Sequence, residues 1–251
     1  MAAAGRRPVS ARRGRRILAL AVGTALLAGL CLGVGLWLGE VPRWTLHGAV
    51  MRLHDPLPAL QPDAHPLTGG GTLAFFGDSN TAGTRLGGPG KAYPAILART
   101  LGRTQRVCVV AHGGATVRSI ARRPWNCGSA DLSIIMLGTN DAATRGWLAA
   151  RTPVPLAEYR ATLATMVRRL AGQGAGVLIL APPPVGTAAM ERRLQPYRVA
   201  ARHVAVEMRA AFLDPVAAFG PDDTLQFDAL HLSEEAQQKL GLWLAAQISG
   251  G

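Results

Sequence analysis

The stretch Thr72-Leu73-Ala74-Phe75-Phe76-Gly77-Asp78-Ser79-Asn80-Thr81 runs a short apolar strand pattern straight into a glycine and a polar turn. Its apolarity is continuous rather than alternating, as expected of a strand buried on both faces in a parallel sheet covered by helices. The pattern recurs at 106–111, 132–137 and 177–181, and more weakly around Phe212 and Leu213. Helical periodicity fills the intervals. Leu156, Tyr159, Leu163, Val167 and Leu170 form one stripe after Pro155. Tyr197, Ala201, Val204 and Met208 form another, predicted to open at Pro196 because proline suits the first helical position. A last helix is predicted to start from Ser233 as N-cap, with Glu234 and Glu235 in its first turn and Ala236, Leu240, Leu244 and Ile248 buried. Five strands alternating with helices predict one doubly wound α/β domain over 72–251, with no internal repeat.

Ligands of such sheets sit at the carboxyl ends of the strands, so the residues just after each strand carry the argument. After the first come Gly77-Asp78-Ser79-Asn80-Thr81, after the second His112-Gly113-Gly114-Ala115-Thr116, and after the third Gly138-Thr139-Asn140-Asp141. Past the fifth lies Asp228-Ala229-Leu230-His231. Hydrolysis by a serine requires a nucleophile, an imidazole base, a carboxylate to orient that base, and donors aimed at the oxyanion. All four kinds of group are present. Each also has a purely structural reading: a helix cap at Asp78-Ser79, a positive-φ loop at Gly113-Gly114, an Asx turn at Asn140-Asp141, a buried histidine at 231. Their joint occurrence at strand ends favours chemistry. Gly77 and Asp78 are assigned to shaping the turn, and Asp141 to bracing a loop.

These four blocks resemble the SGNH hydrolase family, also called GDSL esterases/lipases, over residues 72 to about 248. The resemblance implies a flavodoxin-like three-layer α/β/α fold with a five-stranded parallel sheet. It implies Ser79 as nucleophile, His231 as base and Asp228 as its orienting carboxylate. Ser79 and Gly114 backbone amides and the Asn140 side chain would form the oxyanion hole. No cofactor and no metal is expected, since His47, His54, His65, His112 and His203 have no partners at ligand spacing. The substrate expected is an acyl ester on an envelope glycan, a lipid or a small alcohol, with O-acetyl or short acyl groups foremost. Acyl transfer on the same triad, and a non-catalytic glycan-binding module, are the alternatives. Trp147 and Leu148 are candidates for an acyl or sugar wall, or for core packing.

Upstream, residues 17–38 contain no charged side chain, and as a helix would extend about 33 Å against a hydrocarbon core of roughly 30 Å. The apolar run exceeds the usual core of a cleaved signal peptide, and its only small-x-small site, Gly33-Val34-Gly35, lies inside the run. An uncleaved transmembrane anchor is therefore expected. Arg6, Arg7, Arg12, Arg13, Arg15 and Arg16 precede it, which orients 1–16 to the cytoplasm and the catalytic domain to the periplasmic or extracellular side. Lys+Arg 27 against Asp+Glu 15 gives +12 for 251 residues, but half of the excess is these six arginines, so no nucleic-acid partner is inferred. Residues 39–71, rich in proline and ending in Gly69-Gly70-Gly71, read as a linker, either free or packed partly on the domain. The hydrophobic fraction, 49%, excludes a disordered chain. Cys108 and Cys127 are the two cysteines outside the apolar run, and export leaves them two outcomes. They form a disulfide if the loop around 124–128 reaches beneath the first strand; otherwise they are buried thiols.

Overall fold

The computed structural model describes residues 48–61, 71–102, 106–145, 150–226 and 228–249. The expected anchor at 17–38 lies outside these. Among the described residues no helix is long and apolar enough to cross a membrane. In chain order the elements are β1 (Ala49–Val50), β2 (Thr72–Gly77), α1 (Ser79–Ala82), α2 (Tyr93–Thr100), β3 (Arg106–Ala111), α3 (Val117–Ala121) and β4 (Leu132–Met136). They continue with α4 (Leu156–Ala171), β5 (Gly176–Leu180), α5 (Ala188–Met208), β6 (Ala211–Leu213), β7 (Thr224–Leu225) and α6 (Glu234–Ser249).

Five strands form one parallel sheet in the order β3-β2-β4-β5-β6. Ala74, Phe76, Ile135 and Ile179 face a core shared with α3, α4 and α5. Leu73, Phe75, Ile134 and Leu178 face the opposite core, shared with α2 and α6. Phe75, Phe76 and Phe212 are wholly buried, each contributing roughly 1.5–3 kcal/mol by leaving water. The continuous apolar runs of β2, β4 and β5 thus have their cause in two covered faces; edge strand β3, expected to be buried likewise, leaves Val107 and Val109 exposed. In register, Gly77 of β2 stands opposite Ala111 of β3 and Met136 of β4. Three strand ends are therefore level, and the loops leaving them emerge side by side.

Helix α5 departs from the sequence expectation. It begins at Ala188, where Thr187 caps it by accepting from the Met190 amide, and Pro196 lies inside it. An internal proline removes the bond to the carbonyl four residues earlier, here that of Arg192; both Arg192 and Pro196 are solvent-exposed, on the face where water can take its place. Helix α6 follows its expected cap, the Ser233 hydroxyl accepting from Ala236 at 3.1 Å.

The 48–61 part of the segment read as linker packs on the domain. β1 pairs antiparallel with β7, and Leu60 exchanges two backbone hydrogen bonds with Phe212 of edge strand β6, at 2.9 and 2.8 Å. His54 lies between two carboxylates. Its Nε2 is 3.0 Å from Asp214 Oδ2, and its Nδ1 is 3.1 Å from Glu191 Oε1, within ion-pair range though not aligned as a hydrogen bond. Burial alone would lower the His54 pKa, but its carboxylate partners outweigh that and raise it. Fully buried Arg198 holds Glu191 and donates to the carbonyls of Pro182 and Pro183 at 2.9 Å each. Such tertiary bonding has no sequence period, so which part of the linker packs on the domain is not legible in the sequence.

Cys108 and Cys127 form a disulfide, with Cα atoms 5.5 Å apart. β3 and β4 flank β2, so the loop before β4 must cross the face of β2 to reach Cys108. Trp125 carries it there, packing on Phe76 with ring centroids 4.7 Å apart and donating from Nε1 to the Ile120 carbonyl at 2.9 Å. The bridge spans a sequence separation of 19 residues, for which the chain-entropy estimate is about 3 kcal/mol. Cys127→Ser is expected to lower the urea unfolding free energy of the oxidised protein by about that amount. In excess dithiothreitol the difference between variant and wild type should collapse.

Candidate active site

Gly77 ends β2 at a point where a Cβ would lie 1.9 Å from Thr81 Oγ1; only glycine lets the strand turn so tightly into α1. Asp78 caps that helix, its Oδ1 accepting from the Asn80 amide at 2.9 Å. Ser79 is the first helical residue. Its amide has no carbonyl a turn earlier within the helix to bond to, and the helix end carries a partial positive charge.

The histidine loop is brought to this turn by Asn80. Its side-chain Oδ1 accepts from the Leu232 amide at 2.8 Å and its Nδ2 reaches the Leu230 carbonyl at 3.4 Å. Behind it, Gln237 of α6 donates to the Asn80 carbonyl at 2.9 Å and accepts from the Tyr93 amide at 2.9 Å. Asn80 and Gln237 are both 1% exposed. Sequence reasoning assigned neither of them a role. Gln237 carried a signal nonetheless, as a polar residue three before Leu240 and seven before Leu244 in the buried stripe.

Within the loop, Asp228 Oδ1 accepts the amides of Leu230 and His231 at 3.1 and 3.0 Å, while Oδ2 lies 2.6 Å from His231 Nδ1. Ala229 takes a left-handed φ of 58° to close the turn. Burial would raise the Asp228 pKa, but the hydrogen bonds from His231 and the loop amides, with the nearby imidazole charge, bring it down to about 2. An ionised carboxylate only accepts, so Nδ1 is the donor in this contact, and the neutral imidazole tautomer it selects has its lone pair on Nε2. Arg85 Nη1 shares Asp228 Oδ2 at 2.6 Å, a contact invisible in sequence spacing.

On the other side of Ser79, the Asn140 Nδ2 is 3.4 Å from Asp78 Oδ2. Gly114 adopts φ +73°, a conformation in which a side chain is strained. Arg151 joins the two, donating from Nη1 to Asn140 Oδ1 and from Nη2 to the Gly114 carbonyl, each at 3.1 Å. Hydrogen bonds from the residues flanking Ser79 thus reach Asn140, through Asp78, and the backbone on both sides of His231, through Asn80, while Arg151 ties Asn140 to Gly114. Trp147 and Leu148 lie outside the described residues.

Beneath the site, Asp141 accepts the Val117 amide through Oδ1 at 3.1 Å, bracing the start of α3 as expected. Its Oδ2 is buried with no hydrogen-bond partner among the described residues. Burial raises the Asp78 carboxyl to about 6. Burial, with repulsion from Asp78, raises Asp141 to about 7 against an ordinary 3.8.

This fold, with these side chains at its strand ends, is that of a serine esterase. A sequence model of the GDSL-like lipase/acylhydrolase family matches residues 75–239, and the chain belongs to that family. The acetylxylan esterase Axe2 from Geobacillus stearothermophilus is 25% identical with a TM-score of 0.63, the match covering 74% of this chain and 97% of the other. LAE5, an alpha/beta hydrolase enzyme from the metagenome of Lake Arreo, Spain, is 26% identical with a TM-score of 0.61, covering 75% and 100%. The lipase/acylhydrolase from Enterococcus faecalis shares the fold at 22% identity and TM-score 0.60, covering 71% and 95%. No curated protein sequence matches the chain.

The raised Asp141 has a measurable consequence. Its folded pKa exceeds the unfolded one, so the protonated form is favoured by folding, and the stability it contributes is lost as pH rises from about 3.8 to about 7. In Asp141→Asn the amide oxygen can still accept from Val117, but nothing titrates. Wild type is therefore expected to lose stability relative to Asp141→Asn across that window, by at most about 1.4 kcal/mol per pH unit. Urea unfolding at several pH values measures the slope; a parallel pH dependence of the two proteins would contradict it.

Proposed function

We propose that the protein is a membrane-anchored hydrolase of short acyl esters, O-acetyl groups on an envelope glycan foremost, acting outside the cytoplasm. In this mechanism Ser79 Oγ attacks the ester carbonyl while His231 Nε2 takes its proton, and Asp228 holds the imidazole tautomer and stabilises the imidazolium that forms. The Ser79 and Gly114 amides and the Asn140 side chain receive the oxyanion. Collapse of the tetrahedral intermediate returns the His231 proton to the leaving alcohol, and water then cleaves the acyl-serine by the same route.

The observation that carries this reading is the His231 Nδ1 to Asp228 Oδ2 contact at 2.6 Å, on a loop bonded to the residue after Ser79. The likeness to an acetylxylan esterase at 25% identity supports an acetylated glycan as substrate. Export is supported by the Cys108–Cys127 disulfide, since such bonds persist in oxidising compartments. The charge-free stretch at 17–38 behind its arginines supports an anchor with 1–16 in the cytoplasm.

Ser79→Ala in the full-length enzyme is expected to abolish hydrolysis of acetylated xylan and p-nitrophenyl acetate and to abolish labelling by a fluorophosphonate. Asn140→Ala should cost about 10²–10³ in kcat, the usual loss for one oxyanion donor. Turnover persisting in Ser79→Ala would refute the assignment. For the anchor, alkaline carbonate should leave the protein in the membrane pellet, and its release would refute a spanning helix.

A further inference from the structure

We propose that Arg151 is a positioning residue that sets the oxyanion hole before substrate arrives, by dictating which end of the Asn140 amide faces the reacting carbonyl. The inference rests on the assignment of Asn140 and Gly114 to that hole.

An asparagine amide presents an acceptor at one end and a donor at the other, and a half-turn about its terminal bond exchanges them. In an oxyanion hole only one orientation works: Nδ2 must point at the developing charge, because an oxygen there would repel it. A guanidinium has no acceptor. With Arg151 Nη1 donating to Asn140 Oδ1 at 3.1 Å, the flipped amide would set donor against donor and leave its oxygen facing Asp78. In the observed orientation Nδ2 approaches Asp78 Oδ2 at 3.4 Å, and its second hydrogen remains for the oxyanion. The amide is thus keyed at both ends, by a group that only donates and by a carboxylate.

The same guanidinium bonds the Gly114 carbonyl through Nη2 at 3.1 Å. That contact fixes the left-handed turn of Gly114, φ +73°, from the carbonyl side, so both donors across from Ser79 are held by one planar fork. The two acceptors take different nitrogens, which suits a guanidinium and exceeds what an ammonium can span in fixed geometry. Arg151 itself is anchored by its own amide, which donates to the Thr144 carbonyl at 2.8 Å, and by the bridge between Arg145 and Ala150. Arg151 makes no ion pair among the described residues.

The test is a double-mutant cycle on the full-length enzyme with p-nitrophenyl acetate as probe. Arg151→Met is expected to lower kcat about 10- to 100-fold, a part of the loss expected for removing the donor itself, with KM changed less than about 2-fold. If Arg151 acts chiefly through Asn140, the same substitution in an Asn140→Ala background should cost less than about 3-fold, the remainder being the part that passes through Gly114, and the difference being the coupling that neighbours in one network show. Equal factors in the two backgrounds, an unchanged kcat, or a raised KM with kcat retained would overturn the proposal, the last pointing to an anionic substrate group instead. Arg151→Lys keeps the charge and can reach one acceptor. Should Arg151→Met fail to melt cooperatively, Arg151→Lys is read in the same cycle; loss of kcat confined to the Asn140 background supports positioning, and a wild-type kcat overturns it. Ser79→Ala run alongside separates the two levels: if it abolishes turnover while the Arg151 factors are equal, only the positioning role falls, whereas turnover surviving it removes the site assignment as well.

Discussion

The turn near the start of the domain and the Asp228–His231 loop near its end are held together through the Asn80 side chain. Its amide bonds the backbone on both sides of His231, across sequence separations of 150 and 152 residues. Gln237 closes the circuit from α6 to the Asn80 carbonyl and on to the start of α2. These groups are buried, where an unpaired amide would cost about 1–3 kcal/mol. Any displacement of the histidine loop therefore breaks several bonds at once, and the loop has one stable seat.

The sheet supplies the other half of the constraint. Because β2, β3 and β4 end level, the turn at Ser79, the glycine loop and the Asn140 loop meet without long excursions. The 48–61 segment reinforces the far side by pairing β1 with β7, the strand that leads into the Asp228 loop. Buried charge is concentrated at the ends of this framework, with Asp78 and Asp141 under the oxyanion side and His54, Asp214, Glu191 and Arg198 beside the β5 loop. The first pair is destabilised in its ionised form by burial; the second group is mutually neutralising.

Legibility followed the physics of each feature. β2, β4 and β5 were readable because burial on two faces demands unbroken apolar runs, whereas edge strand β3 has such a run with Val107 and Val109 exposed; α6 was readable because Ser233 and its acidic first turn are local. The start of α5 was misplaced because proline at 196 is a local signal for a helix start, whereas the exposure that lets the helix run through it is a tertiary fact. Asn80 and Arg151 assert themselves through contacts with no period and no fixed spacing. Arg151 stands eleven residues beyond Asn140, in a loop whose course nothing nearby specifies.

What the sequence by itself determined is the set of chemical groups and the elements that carry them: a parallel α/β sheet, membership of the esterase class, and the side chains after each strand. Those depend on local pattern, apolar period and residue type. The tertiary structure alone decided that Cys108 and Cys127 lie on one side of β2 close enough to bond, that residues 48–61 belong to the domain, and that Asn80, Gln237, Arg85 and Arg151 bond the loops at the strand ends to one another. Each of those is a meeting of side chains distant in sequence. Such a meeting is set by strand order, loop routing and the requirement that buried polar groups find partners, none of which leaves a mark at fixed spacing along the chain.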